Sequence, residues 1–123
     1  MPDVDPAAVI LDDVGALERR ESRQEIYDAP IELRLLHRDE RTGAEHYVVR
    51  YPGGMTARWH RHSAAHTIVV LEGRLEANGQ IVGPGAYGHF PGDVPMHHAP
   101  AGDEGCLFLI LFDGPFDVEP VDR

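Results

Sequence analysis

The sequence predicts an all-β fold, a sandwich or barrel of short strands. Three observations carry that expectation. Thirteen glycines and ten prolines punctuate the 123 residues. The stretches between them are short and rich in β-branched and aromatic residues, the pattern of sandwiches and barrels. Asn78-Gly79 joins two such stretches, and Asn-Gly is the strongest two-residue hairpin signal.

The elements follow in order. Residues 1–29 read as an N-terminal arm, with at most a short helix in the weakly periodic segment 6–23, which carries Gly15. Residues 30–118 read as the barrel. Segments 31–37 and 45–51 flank a polar turn ending in Gly43 and form a hairpin. Pro52-Gly53-Gly54 is a turn, 57–62 a short strand, and 67–71 an apolar strand stopping at Glu72-Gly73. Segments 74–77 and 80–82 pair across Asn78-Gly79. Strand 87–90 runs into Pro91-Gly92-Asp93. Residues 106–112 are the most apolar run, expected as a central strand buried on both faces. Residues 119–123 form an acidic tail.

Composition excludes several functions. A chain of this length forms one domain and buries about two-thirds of its unfolded surface. All 11 basic residues are arginine, and 21 acids leave a net charge of -10. That charge repels phosphate backbones and anionic membranes. No apolar run approaches the roughly 20 residues of a membrane span. The first residues lack the basic and apolar regions of a signal peptide. The one cysteine, Cys106, leaves no internal disulfide to form. Cytoplasmic residence is the expectation.

Eight histidines are many for this length, and five lie in two clusters: His60, His62 and His66, then His97 and His98. His60 and His62 are two apart on a strand, so both rings leave the same face. His66 opens the next strand and faces the same interior. His97 and His98 are adjacent, so only one of them reaches it. Three or four imidazoles on neighbouring strands make a site for one divalent transition metal ion: Fe, Mn, Ni, Cu or Zn.

Other residues invite simpler readings. His37, His46 and His89 read as exposed or core-edge residues, with a weaker case that His89 lines the pocket. Arg58, Trp59 and Arg61 are expected to point outward, the latter two by alternation. Glu72 shares the parity of His66 but lies at the strand's far end. Cys106 reads as an inert core thiol.

The segment from Gly54 through His60, His62 and His66 to Gly73 resembles the first motif of the cupin superfamily, G-x5-H-x-H-x3-4-E-x6-G, with His66 in place of the usual glutamate. Gly85 to Pro91 resembles the opening of the second motif, but Met96 occupies its nominal histidine position. The stretches from His98 to Cys106 and from Asp113 to Asp117 resemble small cupins of the ChrR and acetylacetone-dioxygenase-like groups. Counting back from that ending selects His98; counting forward from Pro91 selects His97.

The resemblance implies a double-stranded β-helix, or jelly-roll barrel, with metal ligands His60, His62, His66 and one of His98 or His97, and iron as the foremost metal. It further implies a dioxygenase that cleaves C–C bonds of β-diketones, hydroxyaryl ketones or phenols that chelate the metal. No catalytic group beyond the ligands stands out. A metal-bearing sensor module is the alternative, although it expects a helical domain that 123 residues leave no room for. A cupin isomerase is a further one, lacking an identifiable base. Small cupins pair through sheet edges, so a homodimer is expected, with the arm through Ile26-Tyr27 crossing to the partner.

Overall fold

The computed structural model describes residues 13–22 and 24–122. Among them every regular element is a strand, apart from one 3-10 turn at Val14–Ala16. The strands are β1 (Arg20–Ser22), β2 (Ile31–Arg38), β3 (Glu45–Tyr51), β4 (His60–Arg61), β5 (His66–Glu72), β6 (Leu75–Ala77), β7 (Gln80–Val82), β8 (Tyr87–Phe90), β9 (His98–Pro100), β10 (Cys106–Phe112) and β11 (Glu119–Pro120). A six-stranded sheet has the order β1-β2-β3-β10-β5-β8. A three-stranded sheet, β7-β6-β9, and a pair, β11-β4, complete a jelly-roll barrel.

Alternation explains the core. Cys106, Phe108, Ile110 and Phe112 of β10 face inward and are buried. They meet Val49 and Tyr51 of β3 and Ile68 and Val70 of β5 in one apolar cluster. Each large side chain so buried is worth about 1.5–3 kcal/mol. Asn78 (φ 48) and Gly79 (φ 86) both adopt positive φ, as a type I′ hairpin turn requires. Gly73 ends β5 at φ +73, and a Cβ there would lie 2.3 Å from the carbonyl oxygen of Gly105. Only glycine lets these two chain reversals touch.

The structure departs from the sequence reading in four places. β10 is central, but Leu107, Leu109 and Leu111 are only half-buried on the outer face, so the strand is fully buried on one face. Of segment 57–62 only His60–Arg61 makes a ladder, while Ala57 forms a lone bridge to Tyr27. The arm contributes β1 as an edge strand beside β2, and residues 6–12 and 23 of its expected helix lie outside the described residues. In the tail, Glu119–Pro120 pairs with β4. Local polarity hides such short edge pairings, because exposed strands carry little hydrophobic pattern.

Candidate metal centre

His60 is fixed by its backbone, which exchanges hydrogen bonds of 2.9 and 2.7 Å with Met96. Its Nδ1–H donates to the carbonyl of Arg58 at 2.8 Å. His62 is held from the far end of the chain. Its Nδ1–H donates to the carbonyl of Asp117 at 2.5 Å, and the Asp117 carboxylate accepts from the backbone N–H (2.7 Å) and hydroxyl (2.5 Å) of Ser63. Those Ser63 bonds keep the Asp117 carboxyl below its ordinary value. His98 stands on β9, opposite Ala77 of β6. Its Nδ1 lies 2.6 Å from the hydroxyl of Tyr51, which is itself 2.5 Å from that of Tyr27.

These three anchors aim three rings at one point. The ligating nitrogens of His60, His62 and His98 all lie within 4.8 Å of one another. Ring centroids of His60 are 5.0 Å from His62 and 5.2 Å from His98. All three Nε2 atoms are buried without a hydrogen-bond partner. A buried polar atom left unpaired costs about 1–3 kcal/mol, so three of them aimed together fit a divalent metal ion in place of hydrogen-bond partners.

His66 opens β5 between the rings of Phe90 (4.9 Å) and Phe112 (5.0 Å). Its ring centroid is 5.0 Å from that of His62 and 6.1 Å from that of His98. It stands beside the three-histidine group without joining its 4.8 Å radius. Both of its nitrogens are buried and unpaired.

Burial keeps these imidazoles neutral. It is the main cause depressing His60 to about 4 and His66 to about 3, and it also lowers His62 and His98, the latter strongly. For His66 and His98, mutual repulsion among the rings lowers them further. Lone pairs are therefore available at neutral pH, as metal ligation requires. Burial likewise raises Tyr27 and Tyr51 above the usual phenol value, so both stay protonated hydroxyls.

Beside the histidines lies a cavity of about 160 Å³, lined by His62, His98, Phe108, Phe112, Phe116 and Tyr27 among others. None of its lining residues is Asp, Glu, Lys or Arg. A larger groove of about 290 Å³ lies over β5, β6 and β8 and includes none of the clustered histidines.

The remaining candidates fall elsewhere. His97 turns to the opposite side from His98, because neighbours on an extended segment alternate. Its Nδ1 lies 2.7 Å from a Glu76 carboxylate oxygen and its Nε2 3.0 Å from the Ala57 carbonyl. Both nitrogens are occupied, so His97 is not placed to ligate with the cluster. Glu72 also faces out, pairing with Arg50 at 3.3 Å. A bulge after Val70 sets Glu72 opposite Leu107 and cancels the parity it would share with His66. His89 is exposed and borders the larger groove rather than the histidine cavity. His37 and His46 meet each other across β2 and β3, with centroids 5.6 Å apart. Arg58 and Arg61 pair outside with Glu25 and Glu119. Trp59 lies 5.6 Å from the His97 ring on that outer side. Cys106 is fully buried, and burial pushes its thiol up to about 11.

Sequence reasoning missed Tyr27, Tyr51 and the phenylalanine lining. Tyr51 precedes His98 by 47 residues and follows Tyr27 by 24, so no local spacing connects them.

Solved structures share this architecture. A cupin-like protein of Thermotoga maritima superposes with a TM-score of 0.73 at 22% identity, over 91% of this chain and 90% of that one. The polyketide cyclase RemF of Streptomyces resistomycificus gives 0.76 at 20% identity, over 94% and 87%. An acetylacetone dioxygenase of Acinetobacter johnsonii gives 0.71 at 18% identity, over 100% and 83%. At these identities the likeness is one of fold. No curated protein matches the chain by sequence. The family model of the ChrR cupin-like domain matches residues 21–117, the span that carries every histidine of the cluster. The chain therefore belongs to the ChrR cupin-like family.

Proposed function

We propose that this chain is a mononuclear metal-dependent dioxygenase of small β-diketones, hydroxyaryl ketones or phenols that chelate the metal as anions, with iron as its metal. The observation that carries the reading is the set of three buried, unpartnered Nε2 atoms, two of them on residues that line an apolar cavity of about 160 Å³, His62 and His98. His60, His62 and His98 hold the metal. His66, with two buried nitrogens and no partner, is its fourth donor. A bound dipositive ion supplies Lewis acidity and, with iron, a place for oxygen chemistry.

The protein's own residues set what enters. Four neutral imidazoles bring no negative charge to the site, so an anionic oxygen chelator is favoured over a neutral one. Phe108, Phe112 and Phe116 hold the carbon skeleton and keep water out. The absence of a carboxylate from the cavity lining leaves no carboxylate base for an isomerase. The fold shared with an acetylacetone dioxygenase is consistent with the oxygenase reading. Membership of the ChrR cupin-like family favours one second reading, a metal-bearing sensor module.

The test is metal analysis of protein purified without a nickel column, followed by oxygen uptake on a panel of diketones and hydroxyaryl ketones. Stoichiometric metal with substrate-dependent oxygen uptake is the expected result. Metal with ligand binding but no oxygen uptake across the panel would favour the sensor.

A further inference from the structure

Tyr51 is completely buried, and among the described residues its hydroxyl has two hydrogen-bond partners, Nδ1 of His98 at 2.6 Å and the hydroxyl of Tyr27 at 2.5 Å. A phenol has one proton to give. If His98 ligates through Nε2, Nδ1 carries its proton and donates to Tyr51. The Tyr51 proton then has a single acceptor left, the oxygen of Tyr27. Tyr27 in turn cannot spend its own proton on Tyr51. Tyr27 borders the histidine cavity, and among the described residues its hydroxyl has no other hydrogen-bond partner. Without the metal His98 can take either tautomer, and the chain can also run inward, Tyr27 to Tyr51 to His98.

We propose that metal binding at His98 sets the direction of the Tyr51–Tyr27 relay and turns the Tyr27 hydroxyl into a hydrogen-bond donor for an acceptor oxygen of the cavity ligand. The inference rests on the metal reading above and adds a residue to it. Metal and ligand are coupled through a proton orientation, with no movement of the backbone. The ligand it describes is a small apolar molecule presenting a carbonyl or phenolate oxygen to Tyr27, with its carbons against Phe108 and Phe112.

The test measures binding of acetophenone, an apolar ketone with one acceptor oxygen, by titration calorimetry. It compares zinc-free and zinc-loaded protein, zinc being redox-inactive. Zinc affinity is measured separately by competition with a chelating dye. In wild type the zinc-loaded protein should bind acetophenone more tightly. In Tyr27→Phe that advantage should shrink about fivefold, the worth of one neutral hydrogen bond, with zinc affinity unchanged. Tyr51→Phe should shrink it from the other side, by tightening binding to the zinc-free protein, because its Tyr27 proton is free in both states. An equal zinc advantage in wild type and Tyr27→Phe overturns the inference, as does a loss of zinc affinity in Tyr27→Phe. Absence of acetophenone binding to zinc-loaded wild type also overturns it. Failure of wild type to bind zinc at all overturns the metal reading and this inference together.

Discussion

Acid should destabilise the metal-free protein well above the range where its carboxylates titrate. The perturbation is a fall in pH on protein stripped of metal. In the unfolded chain each histidine titrates near 6.5. In the folded chain His60 holds off its proton until about 4 and His66 until about 3. Between those values the unfolded state binds more protons, so the free energy of unfolding falls as pH falls. Above about pH 7.5 neither group contributes any pH dependence. At pH 5, about 1.5 pH units below the unfolded value, each of the two has cost about 2 kcal/mol. Together that is about 4 kcal/mol, a large share of the roughly 5–15 kcal/mol that holds a domain of this size folded. His62 and His98 add to the loss in the same direction. Asp39 and Asp117, both lowered, lose their contribution only as pH falls below about 4, outside this window. The assay is urea unfolding followed by circular dichroism at pH 7.5, 6.5, 5.5 and 5.0 (assay set-points at about these values, chosen to bracket the free imidazole). The urea midpoint should fall steadily below pH 6.5, and zinc should move that fall to lower pH by competing with protons for the same nitrogens. A midpoint that stays level down to pH 5 in the metal-free protein would refute the claim that these imidazoles are buried neutral.

Four further outcomes are expected. His98→Ala should abolish stoichiometric metal binding while His97→Ala retains it; metal content by mass spectrometry decides, and equal retention in both would make the cluster structural. His66→Glu should keep the metal and alter activity, since the number of donors survives and the site gains a negative charge; unchanged activity would place His66 outside the ligand set. Gly73→Ala should lower the free energy of unfolding, read from urea titration, by at least about 1–2 kcal/mol, the cost of a left-handed backbone for a residue with a Cβ, and the close carbonyl of Gly105 adds to it. Light scattering should report a homodimer, about twice the 13.6 kDa of one chain, and a monomer at micromolar concentration would count against it.

Much of the barrel was legible because strand periodicity is local. The shared face of His60 and His62 follows from alternation alone, and Asn78-Gly79 announces its own hairpin. The histidine spacing points to a candidate metal site for the same reason: two residues apart on a strand means one face. Alternation failed where the ladder slips. Glu72 lost the parity of His66 at the bulge after Val70, and a bulge depends on how the partner strand is paired. The half-buried outer leucines of β10 show a related limit, since apolar content alone does not say whether a second layer covers a face.

The sequence by itself determined an all-β barrel, a cluster of histidines converging on its interior, and that only one of His97 and His98 can face inward. Those conclusions rest on the two-residue period of a strand and on turn residues that impose their own φ. Tertiary structure alone decided that the inward one is His98, because that required the register of β9 on β6. It alone joined Asp117 to His62 and Ser63, and Tyr27 and Tyr51 to His98. Such contacts bridge tens of residues of chain, and their geometry exists only once the sheets have closed around them.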